Sequence, residues 1–165
     1  MALQKPFEGK VIAITGGGSG IGLATAQYLA ARGAKLSLAD NRQEALETAT
    51  EAVKSVVSNA DVLTTVVDVR KSAQVQDWIA RTVEHFGRLS GAANLAGVVS
   101  KNMGRVGVAD GDEDDWDFVI DVNLKGVFLC LKAELKAIEN GGSIVNASSI
   151  AGVRGLPKYC PRSLR

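Results

Sequence analysis

The sequence predicts an α/β protein: a parallel sheet of about five strands with helices on both faces. Three observations predict it. Short apolar runs alternate along the chain with segments whose apolar residues recur at helical spacing. The first run, Val11-Ile12-Ala13-Ile14, leads into the glycine-rich turn Thr15-Gly16-Gly17-Gly18-Ser19-Gly20-Ile21-Gly22, which opens an amphipathic segment reaching Leu29. Asp40, Asp68, Asn94 and the pair Ser148-Ser149 each close an apolar run, and parallel sheets bind their ligands at the carboxyl ends of strands.

The glycine turn organises the rest. Strand, turn and helix in this order aim the backbone N–H groups of a helix N-terminus at an anion. Gly16, Gly20 and Gly22 are spaced G-x-x-x-G-x-G. A Cβ at such positions would block a pyrophosphate, and tight turns often need positive φ. Flanked by this strand and this helix, the turn favours dinucleotide binding over a purely structural loop.

The remaining elements follow in order. The first helix ends near Arg32-Gly33, and Lys35 to Ala39 reads as a strand closing on Asp40. Ala45, Leu46, Ala49, Ala52, Val53, Val56 and Val57 recur at helical spacing. Val62 to Val67 is β-rich and closes on Asp68. Val75, Trp78, Ile79, Thr82, Val83 and Phe86 mark a third helix, stopped by Gly87. Leu89 to Leu95 is a fourth strand, and the glycine-rich stretch 98–112 is a loop. One long helix over 113–139 carries Trp116, Val119, Ile120, Leu124, Val127, Phe128, Leu131 and Leu135 on one face. Ser143 to Ala147 is the fifth strand. The expected organisation is an N-terminal extension over 1–9, one domain over 10–155 and an irregular basic tail over 156–165.

Composition narrows the function classes. A chain of 165 residues, 46% of them hydrophobic, is one domain with a sizeable core. A net charge of +1 with no basic stripe speaks against nucleic acid. Cys130 and Cys160 make no disulfide framework, which fits a reducing compartment. Met1 to Lys10 lacks the apolar stretch of a signal peptide, and no apolar run reaches the ~18 residues that cross a bilayer. The expectation is a soluble cytoplasmic protein with no membrane partner and no metal.

Each polar residue at a strand end has a structural and a functional reading. Asp40, 18 residues beyond Gly22, can accept from an adenosine ribose or cap the next helix. A carboxylate there repels a 2′-phosphate and Asn41 follows it, which favours NAD over NADP. Asp68 alone is more often a cap than a ligand. Asn94-Leu95-Ala96-Gly97 ends its strand on small residues, as needed where backbone approaches a bound ring. Asn123 interrupts the apolar stripe of the long helix and should point inward, where a buried amide needs partners. Ser148 and Ser149 are either a turn or a site.

Taken together, Thr15–Gly22, Asp40, Asp68-Val69, Asn94-Leu95-Ala96-Gly97, Asn123 and Gly142-Ser143-Ile144-Val145-Asn146-Ala147-Ser148-Ser149 resemble the short-chain dehydrogenase/reductase family in order and interval. The resemblance implies a Rossmann-type three-layer sandwich. It also implies hydride transfer between a nicotinamide and a carbonyl or secondary alcohol, and an oxidoreductase working on a small molecule. It implies that Gly16, Gly20, Ile21 and Gly22 wrap the pyrophosphate, with Gly18 and Ser19 in the same turn. Asp40 would hold the ribose, Asp68 and Val69 border the adenine, and Asn94, with Ala96 and Gly97, lie at the nicotinamide side. Ser149 would polarise the substrate oxygen, with Asn123 supporting a proton-relay water. The long helix would pair with a second copy of the chain.

One departure stands out. The family's general acid/base is a Tyr thirteen residues beyond the Ser, followed four residues later by a Lys. Arg162 stands at the Tyr position and the Lys would fall at 166. Tyr159 is the nearest phenol, with Ser163 four residues on and Lys158 beside it. Arginine stays protonated and cannot shuttle a proton. Two expectations follow: an NAD-dependent dehydrogenase altered or truncated at its C-terminus, or a non-catalytic NAD-binding module.

Overall fold

A computed structural model describes residues 5–150. Five strands, β1 (Val11–Thr15), β2 (Lys35–Asp40), β3 (Val62–Val66), β4 (Gly91–Asn94) and β5 (Ser143–Asn146), form one sheet in the order β3-β2-β1-β4-β5. Every neighbouring pair is parallel. The register aligns the strand ends: Thr15 stands beside Ala39 and Asn94, Asp40 beside Val66, and Asn94 beside Asn146. The order reverses between β1 and β4, so a crevice opens beyond Thr15 and Asn94, as doubly wound sheets require.

Helices cover both faces, as the alternation predicted. On one side α1 (Gly20–Ala30) and α2 (Gln43–Val56) bury Ala26, Leu29, Leu46, Ala49 and Val53 against Ile14, Leu36, Leu38 and Ala93. On the other, α3 (Ser72–Phe86) and α5 (Gly126–Ala137) bury Val75, Trp78, Ile79, Cys130 and Ala133 against Ala13, Ala39 and Ala92. Adjacent residues such as Ala13 and Ile14 feed opposite cores because strand side chains alternate. Burial of this apolar area stabilises the fold at roughly 25 cal/mol per Å². A buried polar link joins α3 to β2 within the second core. Trp78 donates its Nε1–H to Ser37 Oγ (2.8 Å), which also bonds Thr82 Oγ1 (2.6 Å).

Several boundaries differ from expectation, β3 and β5 by one residue each, at Val66 and Asn146. β4 is only Gly91–Asn94, and its small residues suit a central strand: a Cβ on Gly91 would stand 3.0 Å from both Ile12 Cδ1 and the Ser143 carbonyl. α1 closes at Ala30, and the chain leaves through Gly33 with φ +93°. The helix expected over 113–139 is three pieces: α4 (Glu113–Ile120), a π turn (Asp121–Lys125) and α5. A π turn inserts a residue into the helical ladder and rotates everything after it. The expected single apolar face therefore divides. Val119, Val122, Cys130 and Ala133 point inward, whereas Leu124, Phe128 and Leu135 are 58%, 59% and 65% exposed. The loop before α4 contains a short 3-10 turn, Val108–Asp110. Asp112 caps α4, accepting from the N–H groups of Asp114 and Asp115. The 155 boundary, the basic tail, Lys158, Tyr159, Cys160, Arg162 and Ser163 lie outside the described residues.

Candidate dinucleotide cleft

A cleft of about 480 Å³ lies at the carboxyl ends of β1 to β4. It is lined by Gly16, Ser19, Gly20, Ile21 and Gly22 of the glycine turn, by Asp40, Asp68 and Val69, and by Ala96 and Gly97. The tertiary structure thus brings ten of the expected binding residues to one place. A larger apolar groove of about 790 Å³ runs beside α1 along Ile12, Tyr28, Ala93 and Val145 and holds none of the polar candidates.

The turn is shaped by close backbone approach. Gly16 has φ +67°, and a Cβ there would lie 3.0 Å from the Ala96 backbone. A Cβ on Gly22 would overlap the Gly16 carbonyl. The turn and the 95–97 segment are therefore packed main chain to main chain. Thr15, 1% exposed, locks the contact: its Oγ1 accepts the N–H groups of both Leu95 and Ala96 at 3.1 Å. The N-cap of α1, Ser19, makes no side-chain capping bond and the first turn holds no acidic residue. Uncapped N–H groups at a helix start favour an anion.

Asp40 is 8% exposed and already engaged. Its Oδ2 accepts the Gly18 N–H at 3.1 Å and its Oδ1 the Arg42 N–H at 3.2 Å. Gly18 is consequently buried beneath the turn, its N–H spent on Asp40, and it does not line the cleft. A carboxylate has about four acceptor sites, which leaves room for a ribose hydroxyl. The Arg42 guanidinium lies 3.5 Å from Asp40 Oδ1 and donates to Ser19 Oγ at 3.1 Å. Asp68 forms the matching unit two residues beyond the next strand, β3. It accepts the Arg70 N–H at 3.0 Å and pairs with the Arg70 side chain at 2.7 Å. Hydrogen bonding from Arg70 holds the Asp68 carboxyl below its ordinary range. Arg70 in turn lies 5.2 Å over the Phe118 ring. Sequence reasoning missed Arg42 and Arg70. The signal was present as Asp-x-Arg after two successive strands, Asp40-Asn41-Arg42 and Asp68-Val69-Arg70.

The other candidates sit outside the cleft lining. Asn94, 2% exposed, turns its side chain away, donating Nδ2 to Glu134 Oε2 (3.0 Å) and Asn146 Oδ1 (2.9 Å). Asn123 sits in the π turn and bonds one residue with both ends of its amide: Oδ1 accepts the Val98 N–H and Nδ2 donates to the Val98 carbonyl, both at 2.8 Å. Its side chain thereby anchors the segment that follows Gly97. Ser149 lies half-buried just beyond β5.

A profile of the family described as short chain dehydrogenase matches residues 10–162. The short-chain dehydrogenase/reductase aba4 of Botryotinia fuckeliana is 51% identical over 155 residues, 94% of this chain and 60% of that protein. Levodione reductase of Leifsonia aquatica is 45% identical over 152 residues, covering 91% of this chain and 56% of that protein. Among solved structures, NAD+-bound xylitol dehydrogenase superposes with a TM-score of 0.88 at 34% identity, covering 96% of this chain and 60% of that one. The chain thus spans about three-fifths of the length of these relatives.

Proposed function

The chain belongs to the short-chain dehydrogenase family of oxidoreductases, and on that premise we propose that its cleft binds NAD(H) for hydride exchange with the carbonyl or secondary alcohol of a small molecule. The observation that carries this reading is the meeting of the uncapped α1 N-terminus, the Gly16–Ala96 backbone contact and the Asp40 carboxylate in one cleft. The residues fit the group. The α1 N–H groups suit the pyrophosphate, Asp40 a ribose diol, and Asp68 with Val69 the adenine edge. Ala96 and Gly97 leave space at the nicotinamide side.

The bound nicotinamide supplies or accepts the hydride. The chain's own residues bind and orient it. Thr15 holds the 95–97 segment against the glycine turn, and Asn123 holds Val98. Ser149 is the proposed donor to the substrate oxygen. Asp40 selects NAD over NADP by repelling a 2′-phosphate. Arg42, tied to Asp40 and Ser19, weakens that selection without reversing it.

The exposed stripe Leu124, Phe128 and Leu135 is the proposed contact between copies of the chain. No helix among the described residues is long and apolar enough to cross a membrane; a cytoplasmic location is part of the proposal. A second reading, an NAD-binding module without turnover, is favoured by Arg162 at the position of the family Tyr. Calorimetry with NAD(H) and NADP(H), followed by NADH formation over a panel of secondary alcohols, tests both. Binding with turnover supports the first reading, and binding without it the second. No dinucleotide binding overturns both.

A further inference from the structure

Glu134 is fully buried in α5, 0% exposed, and among the described residues no cation pairs with it. Its Oε2 accepts from Asn94 Nδ2 at 3.0 Å. The second N–H of that amide goes to Asn146 Oδ1 at 2.9 Å, so both donors of Asn94 are used. Two atoms of the pair are left buried without a partner: Asn94 Oδ1 and Glu134 Oε1. Buried polar groups are ordinarily satisfied, and an ionised carboxylate in this position has no donor to offer and no charge to meet it. The gap beside Asn94, lined by Thr15, Ala96, Val122 and Cys130, has no room for a water molecule. A single proton on Oε1 resolves both orphans at once. Oε1–H would then donate to Asn94 Oδ1 while Oε2 continues to accept from Nδ2, closing a ring of two hydrogen bonds between carboxylic acid and amide.

We propose that Glu134 is a positioning residue held as a neutral carboxylic acid in a two-bond ring with the Asn94 amide, and that through Asn94 it sets the 95–97 segment of the cleft. Asn94 is the last residue of β4, and Ala96 and Gly97 line the cleft immediately after it. The ring itself is independent of any ligand; its effect on the dinucleotide rests on the reading given above. Burial raises the Glu134 carboxyl to about 7, which agrees with the protonated form. Among the described residues no charged side chain bears on Glu134. β4 and β5 carry no ionisable side chain, and of Asp77, Arg81, Glu84 and His85 on α3 none bears on Glu134. Cys130, one turn earlier on α5, stays a thiol, its own value pushed up to about 12, chiefly by burial.

The test is infrared difference spectroscopy of the chain against Glu134→Gln, combined with NADH titration by fluorescence from about pH 6 to about pH 8.5, on either side of the Glu134 transition. Gln preserves the ring, because its amide donates to Asn94 Oδ1 and accepts from Nδ2. The expected result is a protonated-carboxyl stretch in the wild type at the acid end, missing from the variant and lost as pH rises. NADH affinity of the wild type should weaken about three- to tenfold over the same range while Glu134→Gln stays flat. No protonated-carboxyl band at the acid end overturns the ring. A band that titrates while both proteins show the same pH dependence of NADH affinity overturns the positioning role. A wild type that shows the band but binds no NADH at any pH overturns the dinucleotide reading and the positioning role, and leaves the ring standing.

Discussion

The Asp40 carboxylate accepts the backbone N–H of Gly18 at 3.1 Å, so the residue assigned to the ribose also braces the glycine turn from below. The two roles are separable. Asp40→Asn keeps an oxygen for Gly18 but loses the charge, whereas Asp40→Ala loses both. Asn is expected to narrow the NAD-over-NADP preference about tenfold with little change in melting temperature. Ala should do the same and destabilise as well, by about 1–3 kcal/mol for the unpaired Gly18 N–H. Titration calorimetry with both cofactors, beside thermal melts, reads the two effects separately; an unchanged preference in Asn removes Asp40 from the ribose role.

Gly16→Val should abolish dinucleotide binding with secondary structure largely retained. Its φ of +67° disfavours a β-branched residue, and the new Cβ would press on the Ala96 backbone at 3.0 Å. Far-ultraviolet circular dichroism and NADH titration measure the two sides. Retained affinity would mean that the turn is structural only.

Trp78→Phe should cost on the order of 1–3 kcal/mol, plus a cavity contribution. Thr82 Oγ1 donates to the Trp78 carbonyl at 2.8 Å, so the Ser37 hydroxyl donates to Thr82 and depends on the indole N–H for the bond it accepts. Removing the indole leaves that acceptor buried and unmet. Urea unfolding of the variant beside Trp78→Phe with Ser37→Ala measures it. The double variant should recover part of the loss, and no recovery would assign the cost to packing alone.

The Asp68–Arg70 pair predicts an acid limb in stability. The folded-state carboxyl of Asp68 lies below its ordinary value of 3.8, chiefly because Arg70 hydrogen-bonds it. Its contribution is therefore fully present above that value and is lost as pH falls through the lower folded value. Asp68→Asn should be less stable than wild type near neutral pH, and the two should converge in acid. Urea midpoints that keep a constant difference down to about pH 2 would exclude this linkage.

Phe128→Asp should weaken self-association without harming the fold, since Phe128 is 59% exposed. Analytical ultracentrifugation decides. Equal sedimentation of wild type and variant at every concentration rejects the stripe as a contact between copies.

The order of elements, the parallel sheet and the glycine turn were all legible from the sequence, because each rests on local spacing: period two in strands, 3.6 in helices, and glycine where main chains must touch. The strand-end positions of Asp40 and Asn94 were legible for the same reason, whereas Asp68 falls two residues beyond the end of β3. Where their side chains point was not. Asn94 meets Glu134 forty residues away, and Trp78 meets Ser37 across forty-one, so these partners exist only once α5 and α3 pack on the sheet. The π turn at Asp121–Lys125 has no periodic signal, yet it turns Leu124, Phe128 and Leu135 outward and sets the burial of everything after it. Glu134 reads in the sequence as one more charged residue on a helix. Only the packing of α5 against β4 and α3 removes it from water, and that desolvation, which no local pattern encodes, raises its carboxyl to about 7.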